Sequence, residues 1–437
     1  MKLKKSIGVL LLLAMFMCVC FAPLSVSAAA DFSPQQFLDK QLEAANITGV
    51  ACVTKNGKVV AESTRGIANT EEGKAVTTDT LFPVASNSKQ ICATAIFMLK
   101  EQGKLTLDDK LSTYFPDYTK GADVTIKHLL TMRSGIRDFQ EGAFREFIPD
   151  INGTQQENQQ MILDWLQTKR VKFKPGGGYD YSNTNYLLLS MIIEQITGDS
   201  YENFIKENIF APLGMTGSGF CEELSTHPDF CEHTYPDVTD LVTSYDPKGC
   251  FQGSGDIVSN VKDMDKWLTA LREGTLISDE SMAEMTAVCS TNVELVHGVG
   301  VGYACGLYVF PDGSVCHGGF IDTYVSGTYT HFEDEINVFV VANNVQDVSV
   351  DMKTLAHKIA TEMKDVKICG DVNGDMGVNI KDATQIQKAS AKLLTLTENE
   401  TLCADVNADS DVNIKDATAI QKYSAMIETD LNIGEFF

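Results

Sequence analysis

A serine and a lysine three residues apart stand at the start of a strong amphipathic helix pattern. Ser86 and Lys89 directly precede the apolar repeat of residues 91–102. This spacing puts both side chains on one helical face, and a helix N-terminus favours negative charge that develops on a serine. A serine needs a base within hydrogen-bond reach, and a lysine serves only where its pKa is lowered. The pair therefore predicts a nucleophile with its base, whereas a helix cap and a solvated surface charge are the alternative readings.

Two later motifs add groups that suit the same chemistry. Tyr181-Ser182-Asn183 and His317-Gly318-Gly319 follow the S-x-x-K segment in chain order. A tyrosine or histidine can move a proton, and an amide can bind a carbonyl oxygen. A core tyrosine and a strand histidine bonded to backbone are the alternatives for these side chains. The three motifs together therefore offer a candidate nucleophile, proton carriers and a carbonyl-binding amide.

The surrounding elements predict how these residues are positioned. Residues 49–53 and 58–63 flank Asn56-Gly57, a hairpin turn signal, and residues 303–343 read as three antiparallel strands with a turn at Pro311-Asp312-Gly313. Helices are predicted at 35–45, 91–102, 187–197 and 352–363. Strands at both ends predict a mixed α/β (α+β) domain over residues 31–366, with an antiparallel sheet flanked by helices and a helical region inserted.

The motifs and their flanks resemble class C β-lactamases and penicillin-binding proteins. The resemblance covers nearly all of residues 31–366 and implies a β-lactamase/transpeptidase-like fold. The flanks that carry it are Leu81-Phe82-Pro83-Val84-Ala85, Gly103-Lys104-Leu105-Thr106-Leu107-Asp108-Asp109, Thr125-Ile126-Lys127-His128-Leu129-Leu130-Thr131, Ser134-Gly135, Phe173-Lys174-Pro175-Gly176 and Pro212-Leu213-Gly214-Met215.

The resemblance implies a catalytic role for each matching residue. Ser86 would be the acylated nucleophile. Lys89 and Tyr181 would share proton transfer, with Lys89 holding the pKa of the tyrosine down. Asn183 would hydrogen-bond Lys89 and the substrate carbonyl. No cofactor is expected in this domain.

The third motif departs from the family pattern, and this bears on the substrate. His317 would replace a lysine opposite the substrate, and the oxyanion hole would be the backbone N–H groups of Ser86 and of Phe320, which follows Gly319. Phe320-Ile321-Asp322-Thr323 stands where the family often has a glycine-rich turn, and Met132-Arg133 precedes Ser134-Gly135. Histidine is less positive than lysine near neutral pH, so a substrate carboxylate would be held less firmly. A D-Ala-D-Ala carboxypeptidase-like peptidase or an esterase, acting on a small peptide or ester, is expected before a β-lactamase. An idle peptide- or glycan-binding module is the alternative.

An internal repeat follows, with Asp371-Val372-Asn373-Gly374-Asp375 recurring as Asp405-Val406-Asn407-Ala408-Asp409. Oxygen side chains at loop positions 1, 3, 5, 9 and 12 are typical calcium ligands. Aspartate at position 12 and one helix after each loop resemble a dockerin instead of an EF-hand, so residues 367–437 are expected to be a small all-α module with two Ca²⁺ ions. The predicted ligands are Asp371, Asn373, Asp375, Asn379, Asp382, Asp405, Asn407, Asp409, Asp411, Asn413 and Asp416.

The dockerin resemblance implies a cohesin module of a scaffold protein as partner. Loop positions 10 and 11 are often used for that contact, and both copies have the same pair there, so either face could dock. The predicted contact residues are Ile380, Lys381, Ile414 and Lys415. Cys369 and Cys403 each precede a loop by two residues and could be bridged.

The remaining composition indicates an exported protein. Lys2, Lys4 and Lys5, the apolar stretch 7–21 and Ala28-Ala29-Ala30 are typical of a cleaved signal peptide over residues 1–30, with an uncleaved anchor as the alternative. The net charge of -24 disfavours nucleic-acid and anionic-membrane partners. Ten of the twelve cysteines lie beyond the signal, so disulfides are possible in the exported chain. The expected location is extracellular or on a cell-surface scaffold of a bacterium.

Overall fold

The structure is a computed structural model that describes residues 33–141, 153–232, 249–321, 323–344, 349–427 and 429–437. The predicted signal peptide lies outside the described residues. Within these ranges, no helix is both long enough and apolar enough to cross a bilayer.

An eight-stranded antiparallel sheet joins the two ends of the larger domain. The strand order is β2-β1-β13-β12-β11-β10-β9-β8, and β1 pairs with β13 from Gly49↔Ala342 to Lys55↔Ile336. The prediction of a sheet built from both ends of this domain is therefore confirmed. The strands are β1 Gly49–Lys55, β2 Lys58–Arg65, β8 Ser290–Val296, β9 Val299–Tyr303, β10 Tyr308–Val309, β11 Val315–Ile321, β12 Tyr324–His331 and β13 Ile336–Ala342.

Two small sheets border the helical insertion. One pairs β3 with β4, and the other has the order β5-β7-β6. Strand β5 immediately precedes the Ser86 turn and pairs with β7, so it fixes where that turn leaves the sheet. The strands are β3 Ile67–Asn69, β4 Lys74–Ala75, β5 Phe82–Pro83, β6 Gly219–Phe220 and β7 Ile257–Ser259.

Helices cover both faces of the large sheet. In β12, Gly327 faces Met352 of the last helix of this domain, while its neighbours Ser326 and Thr328 face the segment that carries Ser86. This alternation follows from the two-residue period of a strand. The helices of the domain are Pro34–Ala44, Ser88–Glu101, Leu111–Tyr114, Ile126–Leu130, Gln155–Thr168, Asn183–Thr197, Tyr201–Ile205, Ala211–Leu213, Cys221–Leu224, Val261–Glu273, Asp279–Thr286 and Met352–Met363.

The C-terminal repeat forms a small α-helical unit with its own core. Helices Ile380–Ser390 and Ile414–Ser424 pack against each other, each directly after one acidic loop, and a third helix spans Glu398–Ala404. The shared core residues are Val372, Ala383, Ile386, Ala404, Val406, Ala417, Ile420 and Ile433.

The ten cysteines after the predicted signal all lie in described ranges, and Cys369 and Cys403 are free thiols. The suggested bridge between Cys369 and Cys403 is therefore not formed in this structure. The two residues are neighbours through the backbone, because the N–H of Gly370 donates to the carbonyl of Cys403 at 2.8 Å.

Candidate active site

The turn that carries Ser86 is short and strained. Ser86 lies in the 3₁₀ turn Ala85–Asn87, which leads into the helix Ser88–Glu101. Ala85 has a φ of 48°, a left-handed conformation that costs a non-glycine residue about 1–3 kcal/mol. The adjoining residues hold this conformation, since Ser88 Oγ donates to the carbonyl of Ala85 at 2.7 Å. Ser86 is thus presented at the wall of a cleft.

Lys89 is fully buried beside the serine. Its Nζ donates to Ser86 Oγ at 2.9 Å, to Asn183 Oδ1 at 2.8 Å and to the carbonyl of Ser254 at 2.5 Å. Burial lowers the pKa of Lys89 to about 7, against the opposing effect of Asp138 and other acidic groups. A substantial neutral fraction near pH 7 is what a lysine needs to accept the proton of a serine.

Tyr181, the second predicted proton carrier, lies beside Ser86 and Lys89. Its hydroxyl is hydrogen-bonded to Ser86, and Lys89 Nζ lies 5.0 Å from its ring centroid. Burial raises the pKa of Tyr181 far above its ordinary value, which is opposite to the lowered pKa that the resemblance implied. The phenol is therefore protonated near neutral pH, which suits donation to a leaving group.

Asn183 is held by a carboxylate that the sequence analysis did not select. Its backbone N–H and its Nδ2 donate to Asp138 Oδ2 at 3.0 and 2.9 Å, and Nδ2 also donates to Gln140 Oε1 at 2.7 Å. In the sequence, the signal for Asp138 was its place between the apolar residues Ile136 and Phe139. Both of these are buried in the structure, which places the carboxylate between two core positions. Burial raises the pKa of Asp138, and its hydrogen bonds and Lys89 oppose that rise.

His317 is buried and neutral. Its Nδ1 lies 2.7 Å from the carbonyl oxygen of Gly318, an acceptor only, so Nδ1 carries the proton and Nε2 presents a lone pair. Nε2 is buried without a hydrogen-bond partner among the described residues. Burial, followed by the charge of Lys89, lowers the pKa of His317 well below its ordinary value. The imidazole therefore offers an acceptor to the cleft in place of a positive charge.

Gly319 lets strand β11 pass close to the turn Ala85–Asn87, which carries the predicted nucleophile Ser86. A Cβ at residue 319 would lie 2.3 Å from the carbonyl oxygen of Val84 and 2.3 Å from Ser326 Oγ. The next residue, Phe320, pairs with Val325 of β12, and its side chain is 63% exposed. The oxyanion role of the Phe320 N–H stays a prediction.

A cleft of about 570 Å³ is lined by the predicted site residues of the larger domain, except the fully buried Lys89, and by one further cation. Lys353 Nζ lies at its edge, 2.7 Å from Glu294 Oε1 and 3.8 Å from Asp351 Oδ1, so two carboxylates compensate its charge. A larger cleft of about 920 Å³ in the helical insertion contains neither Ser86 nor Lys89. The smaller cleft is lined by Ser86, Gln140, Tyr181, Asn183, Tyr308, His317, Gly318, Gly319, Phe320, Val325, Ser349, Val350, Asp351, Met352 and Lys353.

The first acidic loop is closed by its own carboxylates. Asp371 accepts the N–H groups of Asp375 and Met376, while Asp382 Oδ1 accepts those of Val372 and Asn373. Burial and then the neighbouring carboxylates raise the pKa of Asp371, as expected where acids converge.

The second loop repeats this arrangement. Asp405 accepts the N–H groups of Asp409 and Ser410, and Asp416 Oδ2 accepts that of Asn413. Oδ1 of Asp416 is buried without a partner among the described residues, and burial raises the pKa of this carboxyl group. An orphaned buried carboxylate oxygen fits a cation site.

The predicted calcium ligands divide into two groups. Asn379 and Asn413 also cap the following helices, since Oδ1 of each accepts a backbone N–H group, and their part as calcium ligands stays a prediction. No cluster of three or more His, Cys, Asp or Glu side chains suited to a metal occurs in the described ranges. Calcium also takes amide, backbone and water oxygens. The other predicted donors, whose oxygens also fit calcium, are Asp371, Asn373, Asp375 and Asp382 in the first loop and Asp405, Asn407, Asp409, Asp411 and Asp416 in the second.

The predicted partner-binding residues occupy equivalent exposed positions. Ile380 and Ile414 begin the two loop-following helices and are 54% and 56% exposed. Lys381 and Lys415 follow them and are also exposed. Neither half of the repeat is covered at these positions.

Family models match both parts of the chain. A model described as Beta-lactamase matches residues 35–361, and one described as Dockerin type I domain matches residues 369–423. The chain is 33% identical over 290 residues to the putative penicillin-binding protein PbpX of Bacillus subtilis, covering 65% of this chain and 67% of that protein. Penicillin-binding protein 4* of the same organism is 35% identical over 169 residues, which cover 38% of this chain and 36% of that protein.

Solved structures with the same fold include enzymes. A penicillin-binding protein homologue from Pyrococcus abyssi superposes with a TM-score of 0.64 at 28% identity, covering 75% of each chain. A D-amino acid amidase from Ochrobactrum anthropi superposes with a TM-score of 0.61 at 27% identity, covering 76% of this chain and 98% of the amidase. These likenesses confirm the fold that the sequence motifs indicated.

Proposed function

Because the chain belongs to the Beta-lactamase family of serine hydrolases and carries a type I dockerin domain, we propose that it hydrolyses carboxylic esters or amides through an acyl-enzyme on Ser86. The contact between Lys89 Nζ and Ser86 Oγ carries the proposal, since a neutral amine there can take the serine proton. Ser86 Oγ then attacks the substrate carbonyl, and the backbone N–H groups of Ser86 and Phe320 receive the oxyanion. Tyr181 protonates the leaving group and is reprotonated by the Lys89 ammonium, and water then hydrolyses the acyl-enzyme, which releases the acid and restores Ser86.

The charges of the cleft favour substrates without a carboxylate at the leaving group. His317 is neutral, and Lys353 is compensated by Glu294 and Asp351. An ester or an uncharged amide therefore suits the cleft better than a peptide with a free C-terminal carboxylate. The likeness to a D-amino acid amidase supports an amide as the substrate.

A carboxypeptidase-like activity is the second candidate. The similarity to penicillin-binding proteins favours it, since one such relative aligns with about two thirds of its length. A matched set of substrates separates the two candidates: a peptide ending in D-Ala-D-Ala, its C-terminal amide and its methyl ester. Faster cleavage of the amide and ester supports the first candidate, and faster cleavage of the free acid supports the second.

A covalent probe tests the proposed nucleophile. A fluorescent fluorophosphonate is expected to label the wild-type protein and to leave S86A unlabelled. S112A is the control, because Ser112 lies on the helix Leu111–Tyr114, is only partly buried and does not line the cleft. Absence of labelling in the wild type, together with saturable binding of a peptide or glycan, would support the idle binding module instead.

We further propose that the protein is exported and attached to a scaffold through its dockerin domain. The predicted signal peptide and the exposed, equivalent positions of Ile380 and Ile414 support this. Replacing Ile380 and Lys381 with Asp, or Ile414 and Lys415 with Asp, is expected to leave one binding face and therefore cohesin binding. Replacing all four residues is expected to abolish binding in a calcium-containing titration. Full binding by the fourfold variant would rule these residues out.

A further inference from the structure

We propose that Asp138 is a positioning residue that fixes the side-chain amide of Asn183 with Oδ1 towards Lys89. An asparagine amide can be turned about its last bond, which exchanges an acceptor for a donor. An ionised carboxylate can only accept hydrogen bonds, so it selects the orientation in which Nδ2 faces it. Asp138 Oδ2 does this at 2.9 Å from Nδ2 of Asn183, and it also receives the backbone N–H of the same residue at 3.0 Å.

The remaining contacts leave Asn183 with one satisfied arrangement. Gln140 Oε1 receives the second Nδ2 hydrogen at 2.7 Å, and the N–H of Gln140 donates to Asp138 Oδ1 at 2.9 Å. Oδ1 of Asn183 then accepts from Lys89 Nζ at 2.8 Å. Turning the amide over would set its NH₂ against Lys89 and its oxygen against two acceptors. The chain of contacts from Asp138 through Asn183 therefore aims the Lys89 amine at Ser86.

The charge of Asp138 has a separate effect on the same lysine. The groups that influence the pKa of Lys89 or face it are the acids Asp138, Asp256 and Cys92, the neutral His317 and the protonated phenols Tyr181 and Tyr186. Among the acids, the effect of Asp138 is the largest, and it raises the pKa of Lys89. Removing this charge lowers that pKa, so the neutral amine is populated at lower pH.

These two effects give D138N a signature that a merely structural residue lacks. The new amide has one accepting oxygen in place of two, so it cannot accept the N–H groups of both Asn183 and Gln140. It no longer enforces one orientation of the Asn183 amide, and Lys89 loses its alignment. A loss of roughly a hundredfold in the reaction rate is the scale expected for misplaced catalytic groups. At the same time, the rising limb of the pH–rate profile is expected to move to lower pH. D138E keeps an accepting carboxylate, and its limb is expected to stay at the wild-type pH.

The experiment measures the second-order rate constant for fluorophosphonate labelling of Ser86 as a function of pH, which requires no knowledge of the substrate. E141Q is the matched control: it removes a nearby charge that pairs with Arg137 and Lys172, and its profile is expected to equal that of the wild type. The proposal would be overturned if D138N were labelled as fast as the wild type. It would also be overturned if D138N were labelled more slowly while the rising limb of its pH–rate profile stayed at the wild-type pH. If D138N does not fold, as judged by its thermal unfolding, a D138E limb displaced to lower pH overturns it instead.

The inference rests on the proposed function, because it requires Ser86 to react. The two fail differently: an unlabelled wild type contradicts the proposed function, whereas a labelled wild type with an insensitive D138N contradicts only the role of Asp138. A double-mutant cycle adds an independent readout. D138N and N183A are expected to be non-additive, because both disturb the same amide. Additive losses in the double variant would overturn the route through Asn183.

Discussion

At the scale of single residues, the proposed role of Lys89 as the base makes the reactivity of Ser86 depend on the protonation state of this lysine. The amine must be neutral to take the serine proton, and burial lowers its pKa to about 7. We therefore expect the labelling rate to rise as the pH increases through about 7. K89R keeps a positive charge at all these pH values, because an arginine is not deprotonated in proteins, and is expected to lower the rate by about 10²–10⁴-fold. A wild-type profile that falls through this range would contradict the assignment.

The same pKa shift has a consequence for stability with a fixed sign. The unfolded chain binds the Lys89 proton more tightly than the native state does, since the ordinary pKa is 10.5. Lys89 therefore lowers the unfolding free energy of the protein progressively as the pH decreases from about 10.5 to about 7. K89M removes the titration, so its unfolding free energy is expected to fall less than that of the wild type over this range. The unfolding free energies of both proteins are measured by urea denaturation at several pH values. An equal decrease with pH in the two proteins would contradict this expectation.

Gly319 gives a third prediction, which concerns the close approach of strand β11 to the turn that carries Ser86. In G319A the new methyl group meets a backbone carbonyl and a buried hydroxyl at 2.3 Å, so β11 and the nucleophile turn must move apart. Overpacking of this kind costs about 1–3 kcal/mol, and we expect labelling of Ser86 to be lost. G313A is the control, since Gly313 has a φ of 86° and no atom within 4 Å of its added Cβ. It should lose about 1 kcal/mol through its backbone alone and keep its labelling rate. Equal labelling by both variants would contradict the steric argument.

At the scale of elements, a buried network of hydrogen bonds joins the start of the helix Ser88–Glu101 to strand β12. Thr328 Oγ1 donates to Asn87 Oδ1 at 2.9 Å, and Gln90 Nε2 donates to both of these oxygens. The backbone N–H of His317 also donates to Thr328 Oγ1 at 3.1 Å. The nucleophile turn and the third motif are thus held by one hydroxyl group.

Replacing that hydroxyl group tests the network. T328V keeps the side-chain shape and strands the N–H of His317, so we expect a loss of about 1–3 kcal/mol in unfolding free energy. T330V, on the same face of β12, removes a single contact to Asn337 Oδ1 at 3.2 Å and is expected to lose less. Chemical denaturation of both variants provides the comparison. A T330V loss equal to or larger than that of T328V would contradict the importance of the network.

Local signals predicted the elements, and contacts remote in sequence account for what was missed. The Asn56-Gly57 turn and the helix Met352–Met363 carry their own turn and periodicity signals, and both form as predicted. Residues 303–343 contain the end of β9 and the four strands β10 to β13, whereas three strands were predicted. The short strand β10 was missed because two residues are too few to show an alternating pattern. Asp138 acts on Asn183 across 45 positions, a relation that no local pattern reports. The charge state of His317 depends likewise on its burial, which only the fold supplies.

At the scale of the whole molecule, the two domains have separate cores and meet at the β1–β2 hairpin turn. Lys58 donates to the carbonyl of Met376, and Asn56 Nδ2 lies 3.4 Å from the carbonyl oxygen of Gly374, both in the first acidic loop. The side chain of Met376 is buried against the core of the larger domain. Otherwise the repeat has only its own small hydrophobic core. Domains with a core of this size usually need a bound metal or a covalent cross-link to be stable.

Calcium is therefore expected to stabilise the dockerin domain and not the hydrolase domain. Without it, the ionised Asp371 is buried close to Asp382 and Asp375, so its raised pKa makes dockerin stability fall as the pH rises above about 3.8. Calcium at a hundred times its dissociation constant should add about 2.7 kcal/mol per independent site. Calorimetry should then show one unfolding transition that rises with Ca²⁺ and falls with a chelator, while the hydrolase transition and the labelling of Ser86 stay unchanged. D371A/D405A removes position 1 of both loops, so its dockerin transition should not respond; a response equal to that of the wild type would place calcium elsewhere.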